Sequence, residues 1–453
     1  MSSTPTGATT ELNVATFMSN QPLRWLHVLI VVLLGATMVI DGYDIFMVGL
    51  ILPALSKGLN VHPAELTQVF VIQQFALLIG TLVSGPMLDR FGRRRVLLVA
   101  MPIFALLTIA TSQVSTVLEL DLMRFAAALF FSAVIPAAIT LANEFAPGKH
   151  RAAAVSVVFC GYAGGNLIGA SVQAWILPFG WQAAFWVGGL LPLLMLGFLW
   201  RWLPESVQFR AMRNPADASI GATLRRFDPS FVIDAGRRYV VQSKQQRQRR
   251  LSPLVLFMNG RAVITLLLWL AYLATGIFSY INNSWTTTLL HTTRSMPMVH
   301  IAGLMAASAM AGVLGTASSG FVMDRFGAAR ALPAYLAAAA LTIWIIATMD
   351  VYSQWTPLAF AALGFLYNGG WGGLNALAAA ISPAEMRATS VAWAHGASKV
   401  AGMIGPAIGG ALVRAQWDFT PILLVAGAFE LVAATAVLLL LTRRKVALVP
   451  VQV

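Results

Sequence analysis

The sequence predicts an all-α membrane protein with twelve transmembrane helices arranged as two pseudo-symmetric six-helix bundles. Three observations predict it: an unusually apolar composition, twelve apolar stretches of spanning length, and a pair of motifs that recurs at one offset. Of 453 residues, 58% are hydrophobic and 10% charged, with mean hydropathy +0.75, whereas a soluble domain holds about 45–50% apolar and about 25% charged residues. Twelve spans of ~20 residues need ~240 apolar positions, and this composition supplies them.

In chain order the stretches are 26–52, 68–88, 96–116, 120–142, 152–176 and 182–203, then 262–288, 300–322, 331–349, 356–380, 388–412 and 421–441. They divide the chain into a polar N-terminal tail (1–24), a first bundle (25–203), a basic linker (204–260), a second bundle (261–441) and a C-terminal tail (442–453). The segment ahead of Arg24 lacks the apolar core of a signal peptide, so a free polar tail is expected. The linker alternates arginines with a weak apolar pattern and is expected to be partly helical. The single Cys160 makes no internal disulfide, and no cysteine cluster points to a metal or a redox cofactor.

The formal charge of +13 follows topology. With these spans, 25 of the 30 Lys and Arg fall on one side; the other side holds Lys57, Arg294 and Arg414, and Arg124 and Lys399 lie within spans. Positive loops resist translocation, so both termini and the linker are expected in the cytoplasm of a bacterial inner membrane. The basic residues then face anionic lipid. They do not form the single water-facing surface that a nucleic-acid partner needs.

After the second span the chain reads Ser84-Gly85-x-x-x-Asp89-Arg90-Phe91-Gly92, and after the eighth it reads Ser319-Gly320-x-x-x-Asp324-Arg325-Phe326-Gly327. Pro147-x-x-x-Arg151-Ala152 and Pro383-x-x-x-Arg387-Ala388 repeat at the same offset to within one position. Two matches at nearly one offset indicate an internal duplication. Parallel six-span halves imply a transporter whose site lies between them at mid-membrane depth, reached alternately from each side. No nucleophile triad, HExxH metal site or phosphate loop supports an enzyme.

Asp89-Arg90-Phe91-Gly92-Arg93-Arg94-Arg95 resembles the gate motif of the major facilitator superfamily. The resemblance implies gating roles for Asp89, Arg90 and Arg93, for Glu144 and Arg151, and for Asp324, Arg325, Glu385 and Arg387, with Leu203-Pro204-Glu205-Ser206 as a further part of the set. The plain alternative is that these charges anchor helix ends among headgroups.

Three charges inside the spans carry the chemistry. Asp41 and Asp44 are three residues apart and share a face of the first helix. At 1.5 Å per residue Asp41 lies ~24 Å from Trp25, in the outer half. An ionised group at the bilayer centre costs roughly 2.5–3.5 kcal/mol, so such residues face cavities and serve a function. The bland alternative is a helix-end cap. Arg124 either snorkels to the nearer surface or offers its planar fork to an organic carboxylate while the aspartates exchange protons.

Asp41-Gly42-Tyr43-Asp44 resembles the signature of the aromatic acid:proton symporter family within that superfamily, as do the seventh-span segment through Trp269, Tyr280 and Trp285 and the eleventh-span run of Arg387-Ala388-Thr389, Trp393 and Gly405-Pro406. The resemblance implies import of a benzoate-, hydroxybenzoate- or phenylpropionate-type anion with protons by alternating access, by a monomer without cofactor. It departs at Trp285-Thr286-Thr287, where the family has Trp-Leu-Pro, and at Ser398-Lys399, where it has Gly-Arg. The alternative is a facilitator for a non-aromatic anion or a sugar. By family analogy spans one, four, seven and ten line the cavity. Candidate substrate contacts beside Arg124 are therefore Tyr280, Asn283 and Trp285, the stripe of Tyr367, Trp371 and Asn375 with Asn368 beside it, and His395 with Lys399 on span eleven. Helix–helix packing is the competing reading for the aromatic and amide residues, and Glu430 has no assigned role.

Overall fold

The computed structural model describes residues 11–234, 237–241, 256–257, 261–382 and 387–443. The first half consists of Trp25–Gly58, Thr67–Phe91, Arg93–Thr111, a broken fourth span (Val117–Phe131 and Val134–Phe145), Arg151–Ile176 and Gln182–Trp202. The second half consists of Ala262–Thr292, Met298–Phe326, Ala328–Thr348, Thr356–Ile381, Arg387–Arg414 and Phe419–Arg443. Among the described residues, eleven helical segments are long and apolar enough to cross a membrane. Thr356–Ile381 completes the expected twelve by length. Its five glycines and the amides Asn368 and Asn375 lower its hydropathy, which is the cost of carrying polar groups in a span.

The duplication is visible in the backbone. Gly92 and Gly327, equivalent positions of the first motif pair, join the second span to the third and the eighth to the ninth with φ of +97° and +79°, a region that side chains disfavour. The helices of spans five and eleven begin at Arg151 and Arg387, equivalent positions of the second motif pair.

One expectation is corrected: the N-terminal tail is not free. Glu11–Asn13 pairs in parallel with Arg238–Val240 of the linker, and Val14–Ser19 continues as a helix that buries Val14 and Met18. Both apolar side chains need cover, and the linker helices join the same core, Val207–Arg213 through Val207 and Ala211 and Ala218–Phe227 through Ile220, Leu224 and Phe227. The first helix runs 34 residues, about 51 Å at 1.5 Å per residue. Asp41 therefore sits at the middle of the helix, and a helix-end cap is excluded.

Three apolar cores tell how the halves meet. The largest combines Val48, Leu52 and Phe70 of the first half with Ile281, Trp285 and Leu304 of the second, at the end away from the arginine-rich loops. At the basic end each half keeps its own core, around Leu97 and Leu141 in the first and around Leu336 and Leu377 in the second. Close contacts agree. A Cβ on Gly49 would strike the backbone of Asn283, and one on Gly410 would strike Thr67, whereas Gly85, Gly320 and Gly396 near the basic end have no atom within 4 Å of that position. The halves thus share one core at the end away from the basic loops, and at the basic end each keeps its own.

Candidate functional site

The backbone crossing of spans one and five sets the position of the acids. A Cβ on Gly42 would meet the carbonyl oxygen of Tyr162, and one on Gly161 that of Gly35, so glycine lets the two helices touch. This presses the first helix into the protein and encloses the residues beside Gly42. Asp41 is fully buried and Asp44 nearly so.

The two aspartates nevertheless have different partners. Arg124 Nη1 donates to Asp44 Oδ1 at 2.9 Å and Nη2 to Oδ2 at 2.7 Å, a forked pair with both side chains shut from solvent. Gln73 Nε2 lies 3.5 Å from Asp44 Oδ2, and the guanidinium sits 5.9 Å from the centre of the Phe185 ring. Such pairing offsets the cost of burying both charges. The fork expected to meet a ligand carboxylate is taken by Asp44 in this structure.

Asp41 has no such partner. Among the described residues, neither carboxyl oxygen has a hydrogen-bond partner. Lys399 of span eleven, Asp44, Tyr162 and Tyr280 lie within its electrostatic reach. Lys399, half-buried, comes from the other half of the molecule. A buried acid of the first half and a cation of the second thus lie within electrostatic reach of each other, as does the phenol of Tyr280, whose hydroxyl reaches Gln74 Oε1 at 3.4 Å.

The expected stripe on span ten divides. Tyr367 packs on Phe278 with ring centres 5.3 Å apart and belongs to the central group with Tyr162 and Tyr280. Trp371 and His395 each lie 5.5 Å from the ring of Tyr272, which donates to Asn375 Oδ1 at 2.7 Å. Asn368 turns instead toward span eight: its Nδ2 donates to the Gly364 carbonyl, and it fills the space over Gly312. Asn283 donates to Ser279 Oγ on its own helix while its backbone meets Gly49. Trp285 is fully buried in the shared core, donating Nε1–H to the Pro406 carbonyl at 3.1 Å and lying 6.4 Å from Phe70. It forms part of that core rather than a cavity wall. Glu430 is enclosed near Thr275 and Tyr367.

Sequence reading missed Gln73, Gln74, Tyr162 and Tyr272. Adjacent amides inside an apolar run were a usable signal for the first pair; the tyrosines carry no local mark.

Residues 34–367 and 320–451 match the Major Facilitator Superfamily. The chain belongs to that superfamily. It is 31% identical to the gallate transporter of Pseudomonas putida over 428 residues, 94% of each chain. It is 32% identical to the 4-hydroxybenzoate transporter PcaK of Pseudomonas aeruginosa over 442 residues, 97% of this chain and 98% of that one. The xylose transporter XylE from E. coli, in its inward open conformation, shares the fold with a TM-score of 0.71 at 17% identity, covering 90% of this chain and 94% of that one. The chain is accordingly a multi-pass membrane protein, and the expectation of a transporter rather than an enzyme agrees with the family and with these relatives.

The facilitator gate motif is assembled in the first half. Buried Arg93 donates to Asp89 at 3.1 Å, lies 3.8 Å from Glu144 and stands over the Phe209 ring. Arg90 is exposed above Phe91, and Arg151 is half-buried with its Nε unpartnered. Glu205 of the Leu-Pro-Glu-Ser run caps span three, accepting from the N–H groups of Arg94 and Arg95 at 3.0 and 3.2 Å and from that of Ser206 at 3.0 Å. A neutral amide in its place presents one acceptor where the carboxylate presents two, and it puts an N–H beside the helix end. Glu205→Gln is expected to cost about 1–3 kcal/mol, read as a lower midpoint of thermal unfolding; an unchanged midpoint would remove Glu205 from this role. In the second half Asp324 and Arg325 are exposed, with Arg325 over Phe326. Glu385 lies outside the described residues, as does the side chain of Arg387.

Proposed function

We propose that this chain imports an aromatic carboxylate together with protons across a bacterial inner membrane, its basic end and both termini cytoplasmic, acting as a monomer with no nucleic-acid partner. The relatives named above support the substrate class. One observation carries the mechanism: Asp41 is buried without a hydrogen-bond partner among the described residues and lies within electrostatic reach of Lys399 of the other half, while Arg124 is taken by Asp44.

Electrostatics then couples the two solutes. With Asp41 ionised and no substrate, Asp41 and Lys399 balance each other. With substrate bound to Lys399 and a proton on Asp41, the site is balanced again. Either solute alone leaves a net charge, and enclosing it between apolar bundles is costly. Only the empty and the doubly loaded forms close readily, so the two solutes cross together. Tyr162, Tyr280 and Tyr367 supply ring faces and hydroxyls for an aromatic ring and its substituents, and Trp371, Asn375 and His395 stand behind them toward the basic end. The pair Asp44–Arg124 holds span one to span four and fixes where Asp41 points. Arg93, Asp89 and Glu144 tie the basic end of the first half.

Removing the cation tests the assignment. A charge-assisted contact contributes about 1.5–3 kcal/mol, so Lys399→Gln is expected to weaken binding of 4-hydroxybenzoate by about tenfold to a hundredfold, with Lys399→Arg retaining most of it. Titration calorimetry on purified protein reads both. Unaltered affinity in Lys399→Gln would end the assignment, and displacement by hexose but not by benzoate would end the substrate class.

A further inference from the structure

A cavity of about 790 Å³ lies apart from the Asp41 site, at the basic end of the first half, where spans three and six meet the linker. Four arginines line it: Arg94 and Arg95 from the start of span three, Arg210 and Arg213 from the linker helix Val207–Arg213. Its two acids, Glu205 and Asp217, lie within electrostatic reach of Arg94 and Arg210, but their hydrogen bonds go to other groups. Glu205 accepts from the N–H groups of Arg94 and Arg95 at the head of span three and from that of Ser206, and Asp217 from the N–H and hydroxyl of Ser219. The arginines' own hydrogen bonds go to neutral groups: Arg94 Nη2 donates to the Trp200 carbonyl at 2.7 Å and Arg210 Nη1 to Ser219 Oγ at 2.8 Å. Arg226 adds a further like charge near Arg94. The cavity therefore holds two more cationic than anionic side chains.

Beside the polar Asn214 and Ser219, the rest of its wall is apolar, and part of that faces outward. Phe91, Val99 and Trp200 line the cavity and are exposed, and Val99 and Trp200 belong to helices long and apolar enough to span a membrane. Arginine forks match phosphate oxygens, and basic pockets between helix ends at the membrane surface suit anionic headgroups. A free phosphate would satisfy the guanidinium groups but leave this outward apolar wall unused. We infer that the cavity is a binding site for the phosphate of an anionic phospholipid, which enters sideways from the leaflet at the basic end. Its headgroup joins Arg94 and Arg95 to Arg210 and Arg213, and its chains lie along Val99 and Trp200. The lipid thereby clamps the linker, with the N-terminal strand attached to it, onto the first half.

Arg95 and Arg213 are exposed, so the double variant Arg95→Gln/Arg213→Gln tests the site without disturbing the fold. Full-length protein is placed in phosphatidylcholine nanodiscs with and without phosphatidylglycerol. Retained lipid is counted by native mass spectrometry, and thermal unfolding is followed with phosphatidylglycerol or with inorganic phosphate alone. Wild type is expected to retain phosphatidylglycerol and to unfold later in its presence. Losing two arginines weakens retention about thirtyfold, roughly fivefold for each. A control, Arg325→Gln/Arg330→Gln, removes two exposed charges at the same end and leaves retention as in wild type. Equal retention by the Arg95/Arg213 variant, equal loss by the control, or the same protection from inorganic phosphate alone would each overturn the assignment to a lipid.

Discussion

Asp41→Asn leaves a carrier that exchanges substrate across the membrane but no longer concentrates it. With one proton moving per monocarboxylate, one unit of ΔpH supplies about 1.36 kcal/mol and sustains about a tenfold gradient; the variant falls to a ratio of about one. The reason lies in the balance of charge at the interface. Asparagine is neutral in every state, so Lys399 is balanced only when substrate is present. The loaded form still closes, and counterflow of labelled against unlabelled substrate persists. The empty form carries an uncompensated cation and returns slowly. Proteoliposomes with an imposed ΔpH and no membrane potential measure both activities. Undiminished accumulation would show that another group carries the proton, with Glu430 the next to examine. Since one proton with one monoanion moves no net charge, wild-type uptake should depend on ΔpH and be indifferent to a potential of about 100 mV, which would act at about 2.3 kcal/mol on a single moving charge.

The second large effect is on stability. Arg124→Ala strands the Asp44 carboxylate in an enclosed site with only the long contact to Gln73. Breaking a buried pair on one side costs about 3–5 kcal/mol, so the variant is expected to unfold at markedly lower temperature. Removing both charges, in Asp44→Asn/Arg124→Gln, should recover most of that loss, because no uncompensated charge is left behind. A binding role predicts another pattern: Arg124→Ala would keep its stability, lose affinity for 4-hydroxybenzoate, and gain nothing from the second substitution. Thermal unfolding of the three variants, with and without that ligand, separates the two.

Asp41 and Asp44 show how far local pattern reaches. Their spacing placed both on one helix face, and their burial cost marked them as functional, but nothing in the adjoining sequence distinguishes them. The difference comes from span four, well beyond any local window, where Arg124 reaches Asp44 at 2.7 Å, and from span eleven, where Lys399 lies within electrostatic reach of Asp41. Trp285 is similar. Its place on span seven suggested a cavity wall, whereas the partner helix brings Pro406 and Gly409 against it and makes it part of the shared core. The tail misled for another reason: Leu12, Val14 and Met18 are too few to signal a core by themselves and gain cover from the end of span four and from linker residues on the far side of the first bundle in sequence.

The apolar content, the twelve spans, the duplication and the partition of basic loops follow from the chain alone, because each expresses a transfer between water and hydrocarbon that a segment undergoes largely by itself. The partner of each buried charge, the end at which the halves share a core and the arginine cavity under the linker arise only when distant helices meet, since pair electrostatics and packing depend on distances of a few ångströms that no local pattern encodes.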